Sequence, residues 1–183
     1  MTALAKRAPK QRLRRIVVRA LAGNRARGWL GVGPFRLPCA LGPAGIVRRK
    51  REGDQATPAG VFALLWAYYR PDRRPPPHGG VPMRAMRKDQ GWSEDPSSAN
   101  YNRPVRVSIG SGVDHMWRPD HLYDVTIVLD YNFTKRKNGA GSAIFFHQAR
   151  PGLTPTAGCV AIRPGDMRKL LPQLSAKAKM IIG

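Results

Sequence analysis

"AIFFHQARPGLTPTAGCVAIRPGDMRKLL", Ala143 to Leu171, is the stretch on which the fold turns. An apolar run, "AIFF", ends on His147; a Pro/Gly/Thr loop follows; and Cys159, directly after Gly158, heads a second apolar run, "CVAI". "RPGDMRKLLPQL" then has a helical start, with Pro164 and Asp166 at the entry, Met167, Leu170, Leu171 and Leu174 near helical spacing, and Pro172 limiting it. Two short strands joined by a loop and followed by a short helix is the local reading.

Working outward, the strand half of that pattern recurs. "HLYDVTIVLDY" is the clearest strand, with β-branched residues at Val125, Thr126, Ile127 and Val128. "REGDQATPAGVFALLWAYYR" gives a turn-rich loop, Gly53 to Gly60, that runs into a Val/Phe/Leu/Trp/Tyr strand. "RRIVVRAL" and "GWLGVG" form a hairpin with "AGNRAR" as its turn, and "FRLPCALG" is the next strand. There, Cys39 beside Pro38 suggests an edge or bulge position and a thiol that is simply packed. "VPMRAM", "VRVSI" and "KMIIG" add short strands, whereas "PDRRPPPHGG" and "KDQGWSEDPSSANYNRP" read as loops. The sum is a mainly-β domain over residues 12–183 with one or two short helices and long loops, preceded by a basic arm, residues 1–11, expected to be disordered.

A chain of 183 residues suits one domain and can bury a core without disulfide staples, so Cys39 and Cys159 are read as free thiols. The four histidines and two cysteines show no CxxC, HxxxH or HExxH spacing, which argues against a metal site. Lys and Arg number 32 against 11 acids, a formal charge of +21, and Met1 to Arg51 holds fourteen basic residues and no acid. That excess points to an anionic partner: phosphates, anionic lipid or an acidic polymer. Aromatic residues are not interleaved with the basic ones as in a stacking module, which speaks against a specific nucleic-acid site. No segment is apolar enough to span a membrane, and arginines interrupt each N-terminal stretch where a secretory signal would need an apolar core.

A thiol attacks only as thiolate, so a catalytic cysteine needs a base and an exposed position at the edge of a rigid element. His147 at the end of one strand and Cys159 at the start of the next meet the first need; Gly158 allows a sharp turn that would aim consecutive N–H groups at an oxyanion, and Thr156 can hydrogen-bond within it. The residues alone leave two readings open: nucleophile with base, or packed core cysteine with a structural histidine.

The stretch resembles the signature of the YkuD-type L,D-transpeptidase family: a histidine, a loop of variable length, then Ser/Thr, any residue, Gly, Cys and an aliphatic residue, here His147 and Thr156-Ala157-Gly158-Cys159-Val160. Upstream, "KREGDQATPAGVFAL" is similar to the family's Thr-Pro-x-Gly segment at Thr57-Pro58-Ala59-Gly60, and "LYDVTIVLDYN" resembles the strand bordering its active site. The resemblance covers roughly Arg12 to the C-terminus and implies a β-sandwich-like catalytic domain that acts on diaminopimelate-containing peptidoglycan stem peptides in the bacterial periplasm or cell envelope. It implies that Cys159 forms a thioester, resolved by a second stem as a 3→3 cross-link or by water or a D-amino acid. His147 would be base and then acid, oriented by the backbone carbonyl of Gln148, with Gly158 and Cys159 N–H groups as oxyanion donors. It implies no metal or organic cofactor, and carbapenem β-lactams as covalent inhibitors.

Three positions depart from the family pattern: Gln148 for glycine, Ala157 for histidine, and Ala161 for the arginine or asparagine that reads the substrate carboxylate. Arg163 and Arg150 are the candidates to replace that last charge, with solvent-facing arginine as the alternative. Tyr131 and Asn132 either line the donor site or form an ordinary turn. Arg48 to Arg51 hold acidic stems, act as a lid or make a solvated face; His121 and Asp124, on strand alternation, fall on opposite faces; the four tryptophans are assigned to core or rim packing. A carboxypeptidase or amidase using the same Cys/His pair and a non-enzymatic polyanion-binding protein are the competing functions.

Overall fold

Strand alternation decides which residues are enclosed and which face the site. The computed structural model describes residues 12–107 and 113–183. Its elements are β1 (Leu13–Leu21), β2 (Asn24–Val32), β3 (Phe35–Ala40), β4 (Ile46–Val47), β5 (Thr57–Pro58), β6 (Gly60–Tyr69), β7 (Met83–Ala85), β8 (Gln90–Ser93), β9 (Pro104–Arg106), β10 (Val113–His115), β11 (Val125–Leu129), β12 (Phe145–Gln148), β13 (Val160–Ile162), α1 (Pro164–Leu170) and β14 (Leu174–Ile182), with 3-10 turns at Pro151–Leu153 and Leu171–Gln173.

The main sheet runs β11-β12-β13-β3-β2-β1-β14-β6-β7, and β6 also pairs with β11, so eight strands close on themselves. The mainly-β class is as expected, but the sheet is barrel-like rather than a sandwich. Closure depends on β6, which pairs with β14 from Gly60 to Ala63 and with β11 from Leu64 to Tyr69, leaving neither neighbour as a free edge. A bulge makes this possible: Val128 faces Trp66 while Leu129 faces Leu64, so Leu65 is the extra residue. The phase of β6 flips there. Phe62 and Leu64 join the barrel core, whereas Trp66 and Tyr68 join a second, outer cluster with Trp92, Met116, Phe145 and Cys159. The small sheet β10-β8-β9 contributes to that outer layer through Trp92, which is buried.

Several boundaries differ from expectation. The first hairpin turns on Ala22 and Gly23 alone, and most of "AGNRAR" is already strand. Cys39 is not at an edge: β3 lies between β2 and β13, and the thiol is fully buried, with its pKa pushed up to about 12 by that burial. Pro38 is tolerated because β13 covers only Cys39 and Ala40, so its missing N–H falls beyond the end of that ladder. The stretch assigned to loop at Lys88–Pro104 contains β8, and Leu174, counted with the helix, begins β14. The expected basic arm, and Ser108 and Ile109 of "VRVSI", lie outside the described residues.

Candidate active site

β12 and β13 are parallel, with Phe146 opposite Val160 and His147 opposite Ala161. Phe146, Val160 and Ile162 point into the barrel core, which puts Phe145, His147 and Cys159 on the outer face. Cys159 is therefore next to Phe145 and diagonal to His147, and both reactive side chains line one cavity of about 400 Å³.

The loop joining the two strands is held at several points. Leu153 is buried, Arg27 Nη2 donates to Gly152 O, and Thr156 N–H donates to Leu41 O at 3.0 Å. Thr156 Oγ1 donates to Cys159 O (2.7 Å) and accepts from Gly158 N–H (3.2 Å), so the threonine shapes the turn as expected. That second bond alters the part expected of Gly158: its amide is engaged by Thr156 rather than turned to an oxyanion. Glycine is required there on other grounds, a φ of +128° and a Cβ that would lie 2.6 Å from Ala56 O.

The thiol is seated by two main-chain groups: Cys159 Sγ donates to Ala143 O (3.2 Å) and accepts from Phe145 N–H (3.3 Å). Ala143 has a φ of +51°, a costly conformation for a residue with a Cβ. Asn102 supports it. Its Oδ1 accepts from Ala143 N–H (3.1 Å) and Trp92 Nε1–H (2.9 Å), and its Nδ2 donates to Tyr131 O and Asn132 O.

His147 Nδ1 is 2.7 Å from Gln148 O. A carbonyl only accepts, so Nδ1 carries the proton and Nε2 keeps its lone pair. Tyr123 packs edge-on against the imidazole with centroids 5.3 Å apart, and its hydroxyl donates to Asp114 at 2.9 Å. Burial lowers the His147 pKa to about 4, with Arg118 and Arg150 adding to the effect, and burial raises that of Cys159 to about 12. The resting pair is thus a neutral thiol and a neutral imidazole. Glu52, Glu94 and Asp114 line the same cavity; burial, then Asp114 and Glu52, raises Glu94 to about 7, and burial also raises Asp114.

Other sequence-predicted residues fall elsewhere. Tyr131 packs on the barrel core with its hydroxyl on Ala140 O, and Asn132 is spent on Lys137 and Gly141; neither lines the cavity. Arg163 is exposed at the entry to α1 and does not line it, whereas Arg150 does. Ala161 also lines the cavity, as the departure at that position requires. His121 and Asp124 do pair, Nδ1 to Oδ2 at 2.8 Å, because they sit in a turn before β11 rather than in a strand. Of the Arg48–Arg51 run, three residues are exposed, but Lys50 is buried, lines the cavity and pairs with Asp54 at 2.6 Å. Tyr123 and Asn102 were not foreseen; an aromatic two residues before a strand and an asparagine after a tyrosine carry no local signal of a site. Among the described residues no group of three or more His, Cys, Asp or Glu is placed to hold a metal ion, and no helix is long and apolar enough to cross a membrane.

The YkuD family model, described as an L,D-transpeptidase catalytic domain, matches residues 15–182. The chain belongs to the YkuD family. A structure of Bd1075 from Bdellovibrio bacteriovorus is similar to this YkuD domain in fold, with a TM-score of 0.50 at 17% identity; the likeness covers 94% of this chain and 48% of that one. The YkuD domain thus spans about half the length of that protein. No curated protein matches the chain.

Proposed function

We propose that the domain is a cysteine acyltransferase that forms 3→3 cross-links between diaminopimelate-containing stem peptides. The observation that carries this reading is the imidazole of His147, with its proton held at Nδ1 by Gln148 O, in the cavity that also takes the Cys159 thiol. His147 Nε2 removes the thiol proton as Sγ attacks the carbonyl of the L-centre that precedes a terminal D-alanine. The negative charge that develops on the carbonyl oxygen is met by the Cys159 N–H, since the Gly158 N–H is already used. The imidazolium returns its proton to the leaving amine, D-alanine departs, and a thioester remains. His147 then takes a proton from the side-chain amine of a second stem, which attacks the thioester, forms the new amide and regenerates the thiol.

Starting from a neutral pair has a consequence: the proton passes from Sγ to His147 Nε2 only as the carbonyl is attacked, and not in the substrate-free site. The excess basic charge would draw the protein to the acidic wall polymer of the periplasm or envelope.

Intact-protein mass spectrometry after incubation with a carbapenem, and separately with a disaccharide-tetrapeptide, tests this on wild type, Cys159→Ala and Cys39→Ala. The expected result is a drug adduct on wild type and Cys39→Ala but not on Cys159→Ala, with D-alanine release and a cross-linked dimer. Hydrolysed stem without dimer would make the enzyme a carboxypeptidase. No covalent trace on folded protein would refute the nucleophile.

A further inference from the structure

A second cavity, of about 650 Å³, adjoins the first and shares Leu122, Ala149 and Arg150 with it. Four arginines line it from three separate segments: Arg73 and Arg74 from the turn after β6, Arg150 from the loop after β12, and Arg168 from α1. Two carboxylates face them, and both are taken. Asp124 is held by Arg73 at 2.6 Å and by His121, and Asp120 by Arg118 at 2.8 Å, with Arg150 only at 3.6 Å. Arg73 spends its remaining donors on the carbonyls of Arg118, Pro119 and Asp120.

Arg74 and Arg168 are left with no carboxylate within 4.0 Å among the described residues, and residues 1–11 and 108–112 contain no Asp or Glu to supply one. Arg74 Nε is also buried without any hydrogen-bond partner. A buried guanidinium N–H lacking an acceptor is costly unless a ligand supplies one, and a guanidinium is best satisfied by a carboxylate or phosphate. The catalytic cavity is mixed in charge, with Glu52, Glu94 and Asp114 set against Lys50, Arg118 and Arg150, so the arginine cavity is the more one-sidedly basic of the two.

We propose that the arginine cavity is the carboxylate-binding subsite for an acidic peptide whose scissile carbonyl lies at Cys159. The peptide passes Arg150, where the two cavities meet, and places a carboxylate between Arg74 and Arg168. This deepens the transpeptidase reading and rests on it for the identity of the peptide. It also accounts for the departure at Ala161, because charge recognition sits one cavity away rather than beside the nucleophile.

Calorimetric titration of the whole 183-residue chain carrying Cys159→Ala separates binding from turnover. The probes are the disaccharide-tetrapeptide and the same compound with its internal carboxylates amidated. Amidation is expected to weaken binding about tenfold. Arg168→Gln, exposed on α1 and safe for folding, and Arg74→Gln/Arg168→Gln should weaken the free-acid ligand by a similar factor and leave the amidated one unchanged. Equal binding of the two ligands, or equal loss of both in the arginine variants, overturns the subsite. If neither stem binds and wild type turns neither over, the transpeptidase reading has failed, and glutamyl-glutamate becomes the probe. Its binding, lost in Arg168→Gln, would keep an acidic-peptide site in this cavity; its failure to bind would remove the subsite as well.

Discussion

Replacing His147 with glutamine should flatten the acid limb of the stability profile. Burial lowers the imidazole pKa from 6.5 to about 4. Between those values the unfolded chain takes up a proton that the folded protein refuses, so this contribution is complete above about pH 6.5 and is lost as the pH falls to about 4. At about 1.4 kcal/mol for each tenfold change in proton affinity, the loss comes to about 3 kcal/mol. Glu94 and Asp114 work in the other direction: their raised pKa values favour the folded state while they are protonated, and that benefit fades as pH rises. Both carboxylates persist in His147→Gln, so the difference between the two proteins isolates the imidazole. Urea unfolding followed by tryptophan fluorescence at about pH 7 and about pH 4 should show wild type losing about 3 kcal/mol more than the variant. Parallel profiles would mean that the folded site admits the imidazolium, and the argument for a neutral His147 with a free Nε2 would fall.

Gly158→Ala should cost about 2 kcal/mol or more, because φ is +128° and the new Cβ meets Ala56 O at 2.6 Å; a shift in thermal midpoint together with a loss of kcat for D-alanine release would register it. Asn102→Ala leaves the N–H groups of Trp92 and Ala143 without their acceptor and should cost about 3 kcal/mol in urea unfolding. Alkylation of Cys159 by iodoacetamide, read by mass spectrometry, should keep accelerating about tenfold per pH unit through about pH 10, given a thiol pKa near 12; a plateau below about pH 8 would contradict the neutral resting thiol.

How far the sequence could be read depended on how local each determinant was. Strand alternation and the spacing of His147 and Cys159 are local, so the strands and the shared cavity were legible from Ala143–Ile162. Barrel closure was not, because it rests on one extra residue, Leu65, whose effect exists only in the pairing with Val128 and Leu129. β8 was hidden because Gln90, Gly91 and Ser93 are weak strand formers that are held in place by β9 and β10 and by the buried Trp92. Tyr131 and Asn132 looked functional by position, yet a turn consumes their polar atoms. Tyr123 and Asn102 act through partners far along the chain, Asp114 and His147 for one, Ala143 and Trp92 for the other.

The group that fixes the imidazole's proton belongs to the main chain. Every amino acid placed at position 148 brings the same carbonyl oxygen to His147 Nδ1, provided β12 keeps its course between β11 and β13. The tautomer is therefore inherited with the strand rather than with a side chain, and glutamine in place of glycine leaves it intact. What the side chain at 148 can change is the wall of the arginine cavity, which Gln148 lines. One residue thus has two roles, its backbone holding the imidazole's proton and its buried side chain forming part of the neighbouring cavity's wall.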